Sequence, residues 1–473
     1  MNATVNAPLD PSSQGAEEPN ARSPQLDRFP PVGRVELGQL AKLFETLLER
    51  AREAALEPAK TKKLRTWNGT EVAALLGMTD DALRRRLKKD LADREDPQRA
   101  LALADTAPLP QGTLKNGRRH FALEEIHALQ AALWPRSKRD PEHDDPLILS
   151  ISNFKGGVAK TTTTLHLAQW LVLHGYRVLL LDLDAQATLT QQFGFLPHMD
   201  VDESRTALAL FESDLPEDQL PEILAQGAIS STHWHNLDLL CANLALYGAD
   251  FSLTSRLTRE QTFRFYKVLA KGLEKIKKNY DLIILDTAPS LSFVNANALF
   301  AIDALVVTMP PAPYDLQSGG LFFRWLEQLA KLFSEAEVNE KVYDFVALLI
   351  TKMRNAPVEP KMSGTREKPQ AGKKNVYTDE IIRGWLQTYF PQFLVTTPVA
   401  ESQAIQRLSQ SITTLYEAEK YEGDKRTFQR AIASMNGAYA ELETAIQLTW
   451  QRRREARSHT ANGASATVTA GVT

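Results

Sequence analysis

The sequence predicts an α/β protein in which a mostly parallel sheet flanked by helices follows a small basic helical module and an N-terminal helix. Three observations carry this. Six short apolar runs, LILSIS (147–152), RVLLLDL (177–183), LDLLCA (237–242), DLIILD (281–286), ALVVTM (304–309) and FVALLIT (345–351), mostly alternate with amphipathic segments of helical length. That is the pattern of parallel strands buried on both faces. A charged, proline-rich stretch, Pro135–Pro146, precedes them and reads as a linker marking a domain boundary. Before it, residues 61–140 hold sixteen Lys and Arg against eleven Asp and Glu, a local charge of plus 5 in a chain whose total is minus 3. The remainder therefore carries minus 8.

Length and composition bound the reading. At about 150 residues per domain, 473 residues give roughly three units. Hydrophobic residues at 43%, charged at 24% and aromatic at 8% exclude wholesale disorder, collagen and a membrane bundle. The one cysteine, Cys241, excludes an intrachain disulfide framework, a Cys-rich zinc site and an iron–sulfur cluster, in keeping with a reducing cytoplasm. Neither a signal-peptide core nor a run of about eighteen apolar residues is present, so no membrane association is expected.

Taken in order, residues 1–31 are polar and proline-punctuated and are expected to be a disordered tail. In 32–60, Leu37, Leu40, Leu43, Phe44, Leu47 and Leu48 recur at spacings of three and four, an apolar helix stripe that either packs on its own domain or serves as a dimerisation arm. Residues 61–135 form the basic module. Thr70–Leu76, Gly77 and Thr79–Lys89 read as helix, turn, helix, with Thr79 as N-cap of the second helix. Val72, Leu76, Leu83 and Leu87 face inward, and Arg84, Arg85, Lys88 and Lys89 face outward. This is a helix-turn-helix pattern. Asn116-Gly117 marks a two-residue hairpin, flanked by Lys115, Arg118 and Arg119 and followed by a helix over Leu123–Leu133. A solvated basic face on a small helical domain is the rival reading. A linker, 136–146, leads into the α/β domain, 147–420. Within that domain the stretch from about Arg354 to Tyr377 reads as a mobile loop. A C-terminal helix, 421–458, carries Arg452, Arg453, Arg454 and Arg457, and a disordered tail, 459–473, ends the chain.

The strongest chemical signal is Asn153-Phe154-Lys155-Gly156-Gly157-Val158-Ala159-Lys160-Thr161-Thr162, after the first apolar strand and at the head of a helix, Thr161–His174. Adjacent glycines let successive N–H groups converge on one anion, and the helix N-terminus adds positive potential. Lys160 would neutralise β- and γ-phosphates and the Thr161 hydroxyl would ligate Mg2+. Phe154 and Ala159 occupy the two glycine positions of the usual P-loop expression. The spacing Lys-Gly-Gly-x-x-Lys-Thr resembles the deviant Walker A motif of the ParA/MinD family of P-loop ATPases, closest to large plasmid-type ParA proteins with an N-terminal winged helix-turn-helix domain. The resemblance implies a P-loop NTPase fold. It also implies that Lys155 reaches the partner's phosphates across an ATP-sandwich homodimer. A left-handed Ala159 would cost about 1–2 kcal/mol.

Two further motifs extend the resemblance. Asp182-Leu183-Asp184-Ala185-Gln186 ends the second strand with two carboxylates on one side. By resemblance Asp184 orients the attacking water and Asp182 supports the metal shell. Ile283-Ile284-Leu285-Asp286 delivers a carboxylate to the tip of an apolar strand, the Walker B arrangement for Mg2+. Lys352, Met353 and Pro398 fall where the family holds adenine, and equally read as plain loop. The implied activity is slow ATP hydrolysis driving plasmid or chromosome partition. A ParB-like centromere-binding partner would stimulate it, DNA would be bound both nonspecifically and at an operator through the winged module, and the protein would be cytoplasmic and nucleoid-associated. Nonspecific DNA contact would then rest on local patches such as Lys361–Lys374 or Arg452–Arg457, the latter equally readable as a bare solvated helix end. The alternatives are a nucleotide-sensing transcription regulator and a MinD-like membrane-positioning ATPase.

Overall fold

The computed structural model describes residues 34–55, 62–133, 139–197, 199–211, 228–336, 340–354 and 379–469. The tail expected over 1–31, the lysine-rich patch Lys361–Lys374 and all of the expected loop beyond Arg354 lie outside them. The chain divides into two units, Met1–Lys60 and Thr61–Thr473. The first contributes one helix, α1 (Arg34–Ala55), on which Leu37, Leu40, Leu43, Phe44 and Leu47 are all exposed.

The second unit begins with the basic module: β1 (Trp67–Asn68), α2 (Gly69–Leu75), α3 (Asp80–Glu95), α4 (Pro97–Ala102), β2 (Thr113–Lys115), β3 (Arg118–Phe121) and α5 (Leu123–Leu133). Local chemistry sets its corners. Asn68 caps α2 in a reciprocal box with Glu71, and the Thr79 hydroxyl accepts from Ala82 N at the head of α3. Asn116 and Gly117 both take positive φ, 50° and 74°, as a two-residue turn matched to strand twist requires. The strands form a small antiparallel sheet, ordered β1-β3-β2.

The α/β portion follows. It comprises β4 (Leu147–Ser152), α6 (Lys160–Leu173), β5 (Val178–Leu183), α7 (Thr188–Gln192), β6 (Ile229–Ser231), β7 (Leu237–Leu240), α8 (Tyr247–Arg259), α9 (Val268–Glu274), β8 (Leu282–Thr287), α10 (Phe293–Ala301), β9 (Ala304–Met309), α11 (Pro313–Ala336), β10 (Phe345–Ile350), α12 (Asp379–Tyr389), α13 (Gln403–Gln410) and α14 (Lys425–Thr469). Seven strands form one sheet, ordered β10-β9-β4-β8-β5-β7-β6. Every pairing is parallel except β6 with β7. Each expected apolar run is a strand, and β4, β5, β8 and β9 are buried throughout, as strands covered by helices on both faces must be.

Two expectations are corrected. The stretch 136–146 does not separate two domains, because Thr61–Thr473 is one compact unit. Arg139 is the reason: its buried guanidinium donates to Asp144 O at 2.7 Å and Tyr280 O at 2.7 Å and pairs with Asp281. The core of the basic module, including Trp67, Leu83 and Phe121, is also continuous with that on the α6 face of the sheet. The second correction concerns the C-terminus, where α14 runs on to Thr469, into the stretch expected to be a disordered tail.

Candidate functional site

The sheet order places three strand ends side by side. β8 lies between β4 and β5, with Ile151 opposite Asp286 on one side and Asp182 opposite Asp286 on the other. The phosphate loop leaves the end of β4, so register alone brings loop and both carboxylates together. Ligands in open parallel sheets bind at such carboxyl ends.

The loop is held in an anion-cradling form. Gly157 has φ 74°, and Ala159, the residue before α6, sits at φ 69°, ψ 30°. The left-handed alanine is thus real. Phe154 fills the other usual glycine position by packing edge-on against Phe322 and Trp325 of α11, with centroids 5.0 and 4.9 Å away. Thr351 Oγ1 donates to Val158 O at 3.0 Å, and Asn153 bridges Lys155 N and Thr308 O. Gly156 has no neighbour within 4 Å of a notional Cβ, which leaves the inner side of the loop open.

Lys160 is buried, and burial lowers its pKa against the opposing pull of Asp286 and Asp184. Its Nζ donates to Lys155 O at 3.1 Å, inside the loop's own turn. Lys155 is 40% exposed and pairs through Nζ with Asp315 Oδ1 at 2.8 Å. Thr161 and Thr162 lie half-buried in the first turn of α6.

Asp286 is 1% exposed. One oxygen accepts from Thr164 Oγ1 at 3.2 Å, and the other, Oδ2, is buried without a partner. Asp182 is fully buried and receives Asp184 N, Thr190 N and Thr190 Oγ1. Burial, reinforced by neighbouring carboxylates, raises both pKa values. Two buried carboxylates and an orphaned oxygen beside a threonine hydroxyl fit a hard cation. Among the described residues no cluster of three or more His, Cys, Asp or Glu could hold a metal unaided. Mg2+ is seldom caged by protein alone, so phosphate oxygens and waters would complete its coordination. Asp184 is half-buried at the strand end, where it accepts from Gln186 N at 2.9 Å.

The positions expected near adenine are split. Lys352 is exposed at φ 53°, whereas Met353 is fully buried and its N–H and C=O pair with Val399 and Glu401. Pro398 is buried.

On the basic module, Arg84, Arg85, Lys88 and Lys89 are exposed along α3, and Lys115 and Arg118 on the hairpin, while Arg119 is half-buried. Arg84 pairs with Asp80, Lys115 donates to Thr66 Oγ1, and Arg119 donates to Gln111 O. The start of α2, the face of α3 and the hairpin line a groove of about 630 Å3 that includes Arg84, Arg118 and Arg119. The C-terminal arginines differ: Arg453 pairs with Asp303 and Asp344, and Arg454 and Arg457 with the fully buried Asp144. These three arginines are thus held by ion pairs to distant carboxylates, while Arg452 stays exposed.

Sequence reasoning missed Asn153, Thr164, Thr190, Asp315 and Thr351. Thr164 continues the Thr161–Thr164 run one turn along α6, a signal that was available. The others act through contacts that no local pattern encodes.

This sheet order, with the loop and carboxylate pair at the strand ends, is that of a P-loop NTPase-like fold. Residues 147–340 match a family described as an AAA domain. The chain is 29% identical over 410 residues to a Sinorhizobium fredii protein named "Putative replication protein A", covering 84% of this chain and 89% of that one. It is 28% identical over 302 residues to Protein SopA of Escherichia coli K12, covering 63% and 71%. A solved structure titled "Partition Protein" shares the fold, with a TM-score of 0.54 and 17% identity over 86% of this chain and 98% of that one. The chain is thus similar to these proteins over most of its length, and its α/β portion has a P-loop NTPase-like fold.

Proposed function

We propose that the protein is a ParA-type partition ATPase whose ATP- and Mg2+-bound form dimerises and binds DNA, and whose hydrolysis resets it with help from a ParB-like partner. The observation that carries this is the juxtaposition of a phosphate loop with Asp182 and Asp286 in strand register, the latter with a buried oxygen lacking any partner.

In this reading Lys160 and the N–H groups of Gly156–Thr162 bind the β- and γ-phosphates, and Thr161 and Asp286 hold Mg2+ or its waters, with Asp182 behind them. Magnesium supplies charge neutralisation at the transferring phosphoryl group. Asp184, half-buried at the end of β5, would orient the attacking water. Lys155 leaves Asp315 to reach the partner subunit's phosphates. The basic face of α3 and the hairpin bind operator DNA, making the protein an autorepressor, and α1 serves as the dimerisation arm through its exposed stripe. The resemblance supports these roles. Similarity to SopA and the likeness in fold to a structure titled "Partition Protein" support the partition reading.

ATP turnover by the full chain is the test. Turnover with Mg2+ should be slow, should rise with DNA and the partner, and should vanish in Lys160→Ala with the fold intact. Absence of turnover under all conditions, together with nucleotide-dependent operator affinity, would replace this reading with a nucleotide-sensing regulator.

A further inference from the structure

The helix α7 carries a problem that its own sequence does not solve. It spans five residues, Thr188–Gln192, far short of the length at which a helix holds itself together in water. Its N-terminus has no side-chain cap, and the preceding residue, Ala187, is left-handed at φ 54°. Two outside anchors hold it. At its middle, Thr190 gives its N–H and hydroxyl to Asp182, 2.9 and 2.7 Å away. At its C-terminal end, Lys62 Nζ donates to Gln192 O at 3.1 Å. A helix's last carbonyls lack intrahelical partners and carry negative potential, so a buried ammonium satisfies both needs.

Lys62 lies 85 residues before the first strand of the P-loop sheet, in the segment leading into the basic module. It is itself locked: Nζ pairs with Glu417 at 3.0 Å, with side chains 12% and 6% exposed. Glu417 also receives His233 Nε2 at 2.6 Å, Trp234 Nε1 at 2.9 Å, Gln169 Nε2 of α6 at 3.3 Å and Thr414 N at 3.0 Å. Burial alone would raise this carboxyl, yet the hydrogen bond from His233 and the charge of Lys62 hold it down at about 2. Three residues on, Arg65 donates to Tyr416 O and pairs with Glu71 of the α2 capping box. One hydrogen-bonded chain therefore runs from Asp182 through α7 and Lys62 to the segment that starts the basic module.

We propose that Lys62 is a positioning residue for hydrolysis: by pinning the C-terminus of α7 it fixes Thr190, hence Asp182 and the turn bearing Asp184, so that the basic module completes the NTPase site from outside the P-loop domain. The proposal rests on the ATPase reading above. Nucleotide binding is assigned to the loop and α6, so loss of Lys62 should affect the chemical step and leave affinity for nucleotide intact. Small misplacement of a positioned group lowers rate without lowering binding.

The test uses the full-length protein with Lys62→Met, Lys62→Arg and the matched pair Lys62→Met/Glu417→Gln. The pair avoids leaving a buried carboxylate without its cation. Expected results for the pair are an unchanged melting temperature, unchanged KM for ATP, kcat lowered roughly tenfold, and faster amide exchange at Thr190 and Gln191 with α6 unaffected. Lys62→Arg should restore most of kcat. A folded pair variant with unchanged exchange at Thr190 and Gln191 overturns the pinning, and faster exchange with unchanged kcat overturns the positioning role. A general rise in exchange and KM marks a merely structural residue and also overturns it. If the wild type shows no turnover, the ATPase reading fails, and the exchange measurement still decides whether Lys62 holds α7.

Discussion

The basic helix α3 and the basic end of α14 look alike in sequence and do opposite things in the structure. Arg84-Arg85-Arg86 and Arg452-Arg453-Arg454 are both triplets on helices. On α3 the cations lie on an exposed face, and Arg84 has only the i,i+4 partner Asp80, half-exposed itself. On α14, Arg453, Arg454 and Arg457 close onto Asp303, Asp344 and Asp144, tying the helix to the sheet's lower edge. Exposed pairs of the first kind contribute little to stability, whereas on α14 two arginines share one buried carboxylate, Asp144, whose loss leaves both without it. The difference teaches that a run of arginines names neither role. What decides is whether carboxylates from distant segments meet it.

That contrast can be broken by exchange of effects. Arg84→Ala/Arg85→Ala/Lys88→Ala/Lys89→Ala should weaken operator binding on the order of 100-fold and flatten its salt dependence by up to four phosphate contacts, with the denaturation midpoint unchanged. Fluorescence anisotropy across a salt series checks this, and a stability loss without a binding loss would reverse the assignment. Asp144→Ala should do the converse. It removes the shared partner of Arg454 and Arg457, which are 36% and 49% exposed and stay solvated, and costs about 2 kcal/mol in denaturant unfolding, while DNA affinity of the folded fraction stays the same. The smallest effect sharpens the comparison from the nucleotide side. Ala159→Gly relieves a left-handed alanine at φ 69°, and should stabilise the protein by about 1 kcal/mol without changing DNA affinity in the absence of nucleotide.

The strands were legible because burial on both faces forces uninterrupted apolar runs. β6 was not, being three residues at the sheet edge with no fully buried position. The phosphate loop and Asp286 could be read because their residues are contiguous and their spacing encodes their geometry. Asp315, Thr190 and Glu417 could not, since each acts on a residue 8 to 355 positions away. The misplaced boundary at 136–146 has the same cause: proline and charge look like a linker until Arg139 finds Tyr280 O, 141 positions on. Local pattern reports propensity and period. It is silent about which distant carboxylate or carbonyl satisfies a charge.

The central claim is that nucleotide at this loop governs DNA binding. The affinity of the full-length protein for random-sequence duplex, measured with ATP–Mg2+ and without nucleotide, tests it most directly when Lys160→Ala is run beside the wild type. The account predicts tighter binding with ATP–Mg2+ for the wild type and no nucleotide response for the variant. Equal ATP-dependent binding by both proteins would contradict it.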